Sequence, residues 1–333
     1  MPFEPADFSA PLTFNWTLSY RCNFSCDHCY SRDEDCAELP TAEILRIVDI
    51  LAEQQVPFIN FGGGEPLIRT DLCEIAAYAS GRGLNVSMNS NGWLLDRPMA
   101  QRLKEAGFTS VGISIDSAEP ALHDDFRNRP GSWERAVAAL DALAEVGLKS
   151  TMSSVISRIN HQAFYELLDL ARQHRVGQVY LHNFKCSGRG FKNRQELDLS
   201  PAEWQSFYLQ ALSVKLKTTD LIISFDDPVI ASLPDYREET LVKGSSCGKL
   251  SLHLRPNGDI TPCGFIPVVV GNILRDDFSA IWCDSPVLKA MRQKEATGKC
   301  AGCGAFDDCQ GGCTARAFAT TGDFNQPDPH CWK

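Results

Sequence analysis

Strand-like and helix-like segments alternate from residue 13 to about residue 184, and this alternation restricts the fold more than any other feature of the chain. Predicted strands fall at Thr13–Ser19, Phe58–Gly62, Leu84–Asn89, Ser110–Ile115, Lys149–Ile156 and Gln178–Phe184. Between them, predicted helices open at Thr41, with Thr41 as cap behind Pro40, and near Thr70. Others cover about Arg97–Ala106, Ser132–Val146 and Gln162–His174. Gly107 and Gly147 follow two of them, where a left-handed residue ends a helix. Repeated βα units imply an α/β fold with a parallel sheet and helices outside it. Six strands build either an open sheet or a partial barrel, and periodicity does not choose between them.

Past this stretch, Ser200-Pro201-Ala202-Glu203 has the form of a capping box with proline at the first helical position. It predicts a helix to about Leu216, and Leu221–Phe225 reads as a further strand. From Cys247 onward the chain is rich in glycine and cysteine, with little predicted regular structure. Leu250–Leu254 and Ile260-Thr261, joined by Pro256-Asn257-Gly258-Asp259, read as a hairpin that would bring Cys263 back toward Cys247. A boundary is expected near 235–245. The division that follows is a core over 1–195, a bridging helix and strand over 196–240, and a small cysteine-rich domain over 241–333.

The chain has 333 residues, enough for a large core. Its net charge is −10 with the acids scattered, which argues against nucleic acid as the main partner, because phosphate contacts need clustered Lys and Arg. No apolar run approaches the ~20 residues of a membrane helix. Met1-Pro2-Phe3-Glu4 lacks the basic-then-apolar pattern of a signal peptide, so a cytoplasmic location is expected.

Fourteen cysteines then need an explanation, because disulfides are rare in that compartment. Four of them, Cys36, Cys73, Cys186 and Cys283, read as buried apolar residues. Cys186, at the end of the sixth strand, is also a candidate to face substrate. The other ten fall in clusters. Cys22-Asn-Phe-Ser-Cys26-Asp-His-Cys29 follows the first strand. Three thiolates on one short loop would hold three irons of a [4Fe–4S] cluster and leave the fourth open to a small molecule. A zinc site wants four ligands, and a thioredoxin-like pair leaves the third cysteine without a role.

Cys-x3-Cys-x2-Cys, with His28 before the last cysteine, resembles the signature of radical S-adenosylmethionine (radical SAM) enzymes. Phe61-Gly62-Gly63-Gly64-Glu65-Pro66, at the end of the second predicted strand, is similar to that family's Gly-Gly-Glu. The resemblance implies a (β/α)6 partial TIM barrel with its chemistry at the C-terminal strand ends, where both motifs lie. It implies a [4Fe–4S] cluster on Cys22, Cys26 and Cys29, and S-adenosylmethionine bound beside it. An electron from a flavodoxin- or ferredoxin-type donor would cleave that cofactor to a 5′-deoxyadenosyl radical, which takes hydrogen from substrate. His28 would contact adenine. Gly63 and Gly64 would let the backbone approach the cofactor, and Glu65 would accept from the methionine ammonium. Asn89, Ser114, Asp116 and Arg127 are expected to hold ribose and carboxylate. Caps and turns use several of the same residue types.

The tail, Cys247-x10-Gly258-x4-Cys263, then Cys300-x2-Cys303-x5-Cys309-x3-Cys313 and Cys331, is similar to the SPASM extension of that family. That likeness implies one or two auxiliary iron–sulfur clusters: Cys300, Cys303, Cys309 and Cys331 would hold one, and Cys247, Cys263 and Cys313 another with its fourth ligand open. Spacing alone fits structural zinc as well. A tail poor in apolar residues needs metal to fold in either case.

SPASM enzymes mostly modify peptides or proteins, and some act on tetrapyrrole side chains. Gly264 stands where sulfatase-maturing members carry aspartate, which speaks against that role. The leading expectation is modification of a ribosomally made peptide, with a separate peptide-recognition protein. Side-chain chemistry on a tetrapyrrole is the second reading, and a non-catalytic iron–sulfur electron carrier the third.

Overall fold

The computed structural model describes residues 8–31, 34–233, 236 and 242–333. Met1–Glu4 and much of the expected 235–245 boundary lie outside the described residues. Seven strands, β1 (Thr13–Ser19), β2 (Phe58–Gly63), β3 (Asn85–Ser90), β4 (Phe108–Ser114), β5 (Lys149–Ile156), β6 (Gln178–Asn183) and β7 (Ile222–Phe225), pair in sequence order, all parallel. The six expected strands are present, and the further one, β7, extends the same sheet.

The helices alternate with the strands: α1 (Thr41–Glu53), α2 (Leu72–Gly81), α3 (Arg97–Glu105), α4 (Pro120–Arg127), α5 (Ser132–Val146) and α6 (Phe164–Gln173). Ile44, Ile47, Val48 and Leu51 form the buried stripe of α1, at the spacing that places side chains on one helical face. Thr41 is the first residue of α1 rather than its cap, which is Pro40. The Thr41 hydroxyl instead donates to Asp71, 2.7 Å away. The capping box at Ser200 and Glu203 is formed, and its helix runs Pro201–Lys215. Helix α4 has no counterpart among the expected elements.

The tail joins this sheet. β8 (Ser251–Leu254) lies parallel to β1, from Thr13 opposite Ser251 to Trp16 opposite Leu254. The hairpin forms where expected: β9 (Asp259–Thr261) turns back on β8, and β10 (Gly271–Asn272) pairs with β9. The result is one ten-stranded sheet with β10 and β7 at its edges. One hydrophobic cluster contains Phe14 and Phe61 of the barrel together with Leu254, Ile260, Phe278 and Trp282 of the tail. The Trp282 indole donates to the Phe8 carbonyl at 2.8 Å. The tail is more regular than its composition suggests, with helices at Phe278–Asp284, Pro286–Arg292 and Thr314–Thr321. Cys283 is exposed and Cys36, Cys73 and Cys186 are half-buried, so none of these four is the fully buried thiol expected.

Leu254 is fully buried where tail meets barrel. Leu254→Ala is expected to cost about 2–5 kcal/mol, read as a lower midpoint in anaerobic denaturant unfolding. Tail and barrel should lose structure together; a tail that unfolds alone while the barrel holds would show that the shared sheet does not couple them.

Candidate active site

The C-terminal ends of the parallel strands open into a cavity of about 1450 Å³. Cys22, Cys26 and Cys29 line it, as do His28, Gly63, Gly64, Glu65, Asn89, Ser114 and Arg127. Cys247, Cys263 and Cys313 of the tail line its other side. One space therefore takes in the first cysteine loop and three tail cysteines that are more than 200 positions away in sequence. Cys300, Cys303, Cys309 and Cys331 gather around a separate small pocket. Among the described residues no three His, Cys, Asp or Glu side chains converge closely enough to hold a single metal ion.

The cysteine loop is held from several directions. The backbone N–H of Phe24 points at the Cys22 sulfur at 3.4 Å. The Ser31 hydroxyl, 3.6 Å from the Cys29 sulfur, donates to the Gly63 carbonyl at 3.0 Å. Arg189, in the segment after β6, donates to the Ser25 carbonyl at 2.9 Å and to its hydroxyl at 2.6 Å. Burial pushes the Cys26 thiol up to about 12, while Arg127 pulls it down. A buried thiol of this kind ionises when a cation or cluster takes its sulfur.

The glycine strip crosses close to the loop. Gly63 has φ +101°, and a Cβ there would run into the Thr17 side chain; a Cβ on Gly64 would run into the Arg21 carbonyl. Glu65, 1% exposed, accepts from Ser90 Oγ (2.8 Å), Asn91 N (2.8 Å) and Leu67 N (3.2 Å). Burial raises its pKa against the pull of these donors.

Asp116 does not line the cavity. It sits behind the wall, accepting from Arg127 Nε at 2.6 Å and Val155 N at 2.8 Å. Its role in this structure is to hold Arg127, whose guanidinium also reaches Cys26. Arg127 closes α4, so the helix absent from the sequence reading delivers this group. His28 stacks on Phe126 at 4.2 Å between centroids. Burial lowers the His28 pKa to about 3, and its Nδ1 is buried at the cavity wall without a partner among the described residues.

Several groups escaped the sequence reading. Lys185 donates to Asn183 Oδ1 (2.8 Å) and Asp226 (3.0 Å), and lies 5.1 Å from the Phe265 ring centre. Phe265 packs on Tyr30 at 4.7 Å. His253 bonds Thr17 Oγ1 at 2.9 Å and Thr261 Oγ1 at 3.0 Å, tying β8 to β1 and β9. Lysine, histidine and aspartate at strand ends carry no local signal until the strands are assembled. Cys186 turns away from the cavity; its thiol donates to Asp198 at 3.2 Å and is raised to about 12 by burial. A thiol–thiol hydrogen bond lowers Cys247 and pushes Cys263 up.

Comparison with known proteins agrees with this geometry. A family model described as the radical SAM superfamily matches residues 16–171, and one described as a SPASM iron–sulfur cluster-binding domain matches 246–304. An AdoMet-dependent heme synthase of Methanosarcina barkeri is 32% identical, with 97% of each chain covered. The mycofactocin maturase MftC of Mycolicibacterium smegmatis is 32% identical over 97% of this chain and 83% of its own. Among solved structures, Streptococcus suis SuiB bound to S-adenosylmethionine superposes with TM-score 0.81 at 18% identity, covering 98% of this chain and 78% of that one. anSMEcpe with bound AdoMet gives 0.77 at 16% identity, covering 96% and 94%. At such identities the structures establish the shared fold alone.

Two predictions rest on the buried charges. Asp116→Ala strands Arg127, and breaking a buried pair costs about 3–5 kcal/mol; a lower thermal midpoint with Arg127→Met partly restoring it is the expected result. His253 and His123 are held neutral, with burial lowering them to about 3 and about 4. Below about pH 6.5 the unfolded chain binds protons that the fold refuses. Their stabilisation is complete above that pH and is lost as pH falls toward 4, by up to about 1.4 kcal/mol per pH unit each. Thermal midpoints from pH 7.5 to 5 should fall, less steeply in His253→Gln; equal slopes for the two proteins would exclude the assignment.

Proposed function

The chain belongs to the radical SAM superfamily and carries a SPASM iron–sulfur domain, and from that premise we propose that it takes a hydrogen atom from a ribosomally made peptide seated in the cavity between its two thiol sets. The chain is an enzyme, and its cofactors are a [4Fe–4S] cluster with S-adenosylmethionine and auxiliary iron–sulfur clusters. When bound, they supply one-electron cleavage of the sulfonium and a hydrogen-abstracting radical. Cys22, Cys26 and Cys29 are the thiols that would hold the first cluster. Three soft donors on one loop, held by Ser31 and Arg189, fit it. Gly63 and Gly64 bring backbone close, and Glu65, already fixed by three donors, presents a rigid carboxylate to an ammonium. Asn89, Ser114, His28 and Arg127 line the same wall. On the tail, Cys300, Cys303, Cys309 and Cys331 would hold one auxiliary cluster, and Cys247, Cys263 and Cys313 the other.

The observation that carries the peptide reading is the charge state of the cavity. Its lining cations are Arg127, Lys185 and Lys243, and each is paired to a carboxylate: Asp116, Asp226 and Asp308. A polycarboxylate substrate meets no spare cation among the described lining residues. A peptide segment, neutral along its backbone, fits a large space walled by Tyr30, Phe265, Tyr180 and Phe225. At Gly264 an added Cβ would lie 3.2 Å from the Tyr30 ring, a tight contact. Tetrapyrrole side-chain chemistry remains the second reading, favoured by the heme synthase likeness over 97% of both chains.

The test uses anaerobically reconstituted, reduced enzyme with S-adenosylmethionine. Short peptides encoded beside the gene, and an iron tetrapyrrole with carboxylate side chains, are offered separately. The expected result is 5′-deoxyadenosine together with a mass change in a peptide; turnover of the tetrapyrrole alone would overturn the peptide assignment. Replacing Cys22, Cys26 and Cys29 together with alanine should abolish 5′-deoxyadenosine while iron on the tail persists. Glu65→Gln should weaken S-adenosylmethionine binding ~10–100-fold, the worth of a charge-assisted hydrogen bond, read by equilibrium binding.

A further inference from the structure

Lys294 follows the tail helix Pro286–Arg292 and reaches the turn that links the two tail thiol sets. Its Nζ is buried and has no hydrogen-bond partner among the described residues. A Cβ on Gly311 would lie 3.6 Å from that nitrogen and 3.9 Å from the Cys300 sulfur, so ammonium and thiol flank one point. Burial lowers its pKa, and the groups whose charge favours the ammonium against that are Cys313, Asp328, Cys300 and Cys309. Asp328 is committed elsewhere: it accepts from Arg316 Nε (2.9 Å), His330 N (2.9 Å) and Cys313 N (2.7 Å). That leaves the thiols. Cys300 and Cys309 belong to the small pocket, and Cys313 to the large cavity.

A buried ammonium without a counterion is costly, and it persists where negative charge comes to it. Arg316 and Lys185 also act on Cys313, but both are neutralised by aspartates: Asp227 and Asp328 for the first, Asp226 for the second. Lys294 is a cation near these sulfurs whose buried nitrogen has no partner among the described residues, whereas Lys299, which also acts on Cys300, is exposed and donates to the Cys331 carbonyl at 2.6 Å. Thiolate-ligated clusters are anionic, and their potentials follow net charge and hydrogen bonds to sulfur.

We propose that Lys294 is the charge partner of the auxiliary clusters, a positioning residue whose buried Nζ at the Cys309–Cys313 turn raises the reduction potential of the clusters beside it. The inference rests on the tail holding iron–sulfur clusters, and it is independent of which substrate the enzyme takes. Because the ammonium stands at the turn joining both sites, it favours a reduced cluster on either side.

The test is an EPR-monitored redox titration of the full-length holoenzyme, wild type against Lys294→Met and Lys294→Arg, with iron and sulfide measured on each. Tail signals in the wild type, identified as those that survive alanine replacement of Cys22, Cys26 and Cys29, establish the clusters first. Lys294→Met should move at least one auxiliary potential negative by a tenfold change in the oxidised-to-reduced ratio, 59 mV for one electron, and Lys294→Arg should recover most of it. Unchanged potentials in a fully loaded Lys294→Met protein would overturn the proposal. If Lys294→Met loses tail iron, restored loading in Lys294→Arg supports the charge role, and failure of arginine to restore it overturns that role.

Discussion

Strand β1 carries the architecture. It is bonded in parallel register to β2 on one side and to β8 on the other. Chain leaving β1 becomes the Cys22–Cys29 loop, chain leaving β2 becomes Gly64-Glu65, and chain around β8 and β9 carries Cys247 and Cys263. Because parallel strands present their C-terminal ends at one edge, the first two stretches reach one cavity; Cys247 precedes β8 and Cys263 follows the antiparallel β9, and pairing of β8 with β1 sets both against the same cavity. Side chains reinforce the pairing: Thr17 on β1 meets His253 on β8, and the Tyr30 hydroxyl also bonds Thr17. Without β8 beside β1, the tail thiols would have no fixed place opposite the first loop.

Buried charge then sets how precisely those edges are placed. Arg127 and Asp116, and Arg316 with Asp227 and Asp328, lie in the interior, where an unpaired ion is strongly disfavoured. Each pair joins elements that packing alone would leave free to slide. Asp116 follows β4 and takes an N–H from β5, while Arg127 ends α4. Asp227 follows β7, Arg316 lies on the tail helix Thr314–Thr321, and Asp328 comes after it. Such pairs add little net stability against apolar replacements, but they admit few alternative registers. That suits a site in which radical chemistry must reach one hydrogen atom and no other.

The barrel was legible because its signals are local. β1, β5 and α5 fall on the predicted residues, since alternating apolar runs and glycine closures need no distant partner. Helix α4 was not, because Pro120 begins a short stretch rich in Asp and His that reads as a loop. The tail helices escaped for a similar reason: Phe278–Asp284 and Pro286–Arg292 are seven residues each, although Asp277 and Ser285 cap them. At the site, motif cysteines and Gly-Gly-Glu were visible because their chemistry is written in spacing. The pairing of Lys185 with Asp226, the turning of Cys186 toward Asp198 and the retreat of Asp116 behind the wall depend on strands meeting in space. No window of sequence contains both members of those pairs at a diagnostic distance.

The turn from Cys309 to Cys313 shows what this assembly makes available. Gln310 at φ 49°, Gly311 at +76° and Gly312 at +80° reverse the chain in the space of one short loop. Four residues of chain span at most ~14 Å, so a thiol of the small pocket and a thiol of the large cavity cannot lie far apart. Gly312 has no room for a side chain, because a Cβ would meet Asp328, which holds Arg316 and through it Asp227 beside β7. The tail thus places its outer thiols, its inner thiols and the barrel in sequence, each tied to the next by a buried bond.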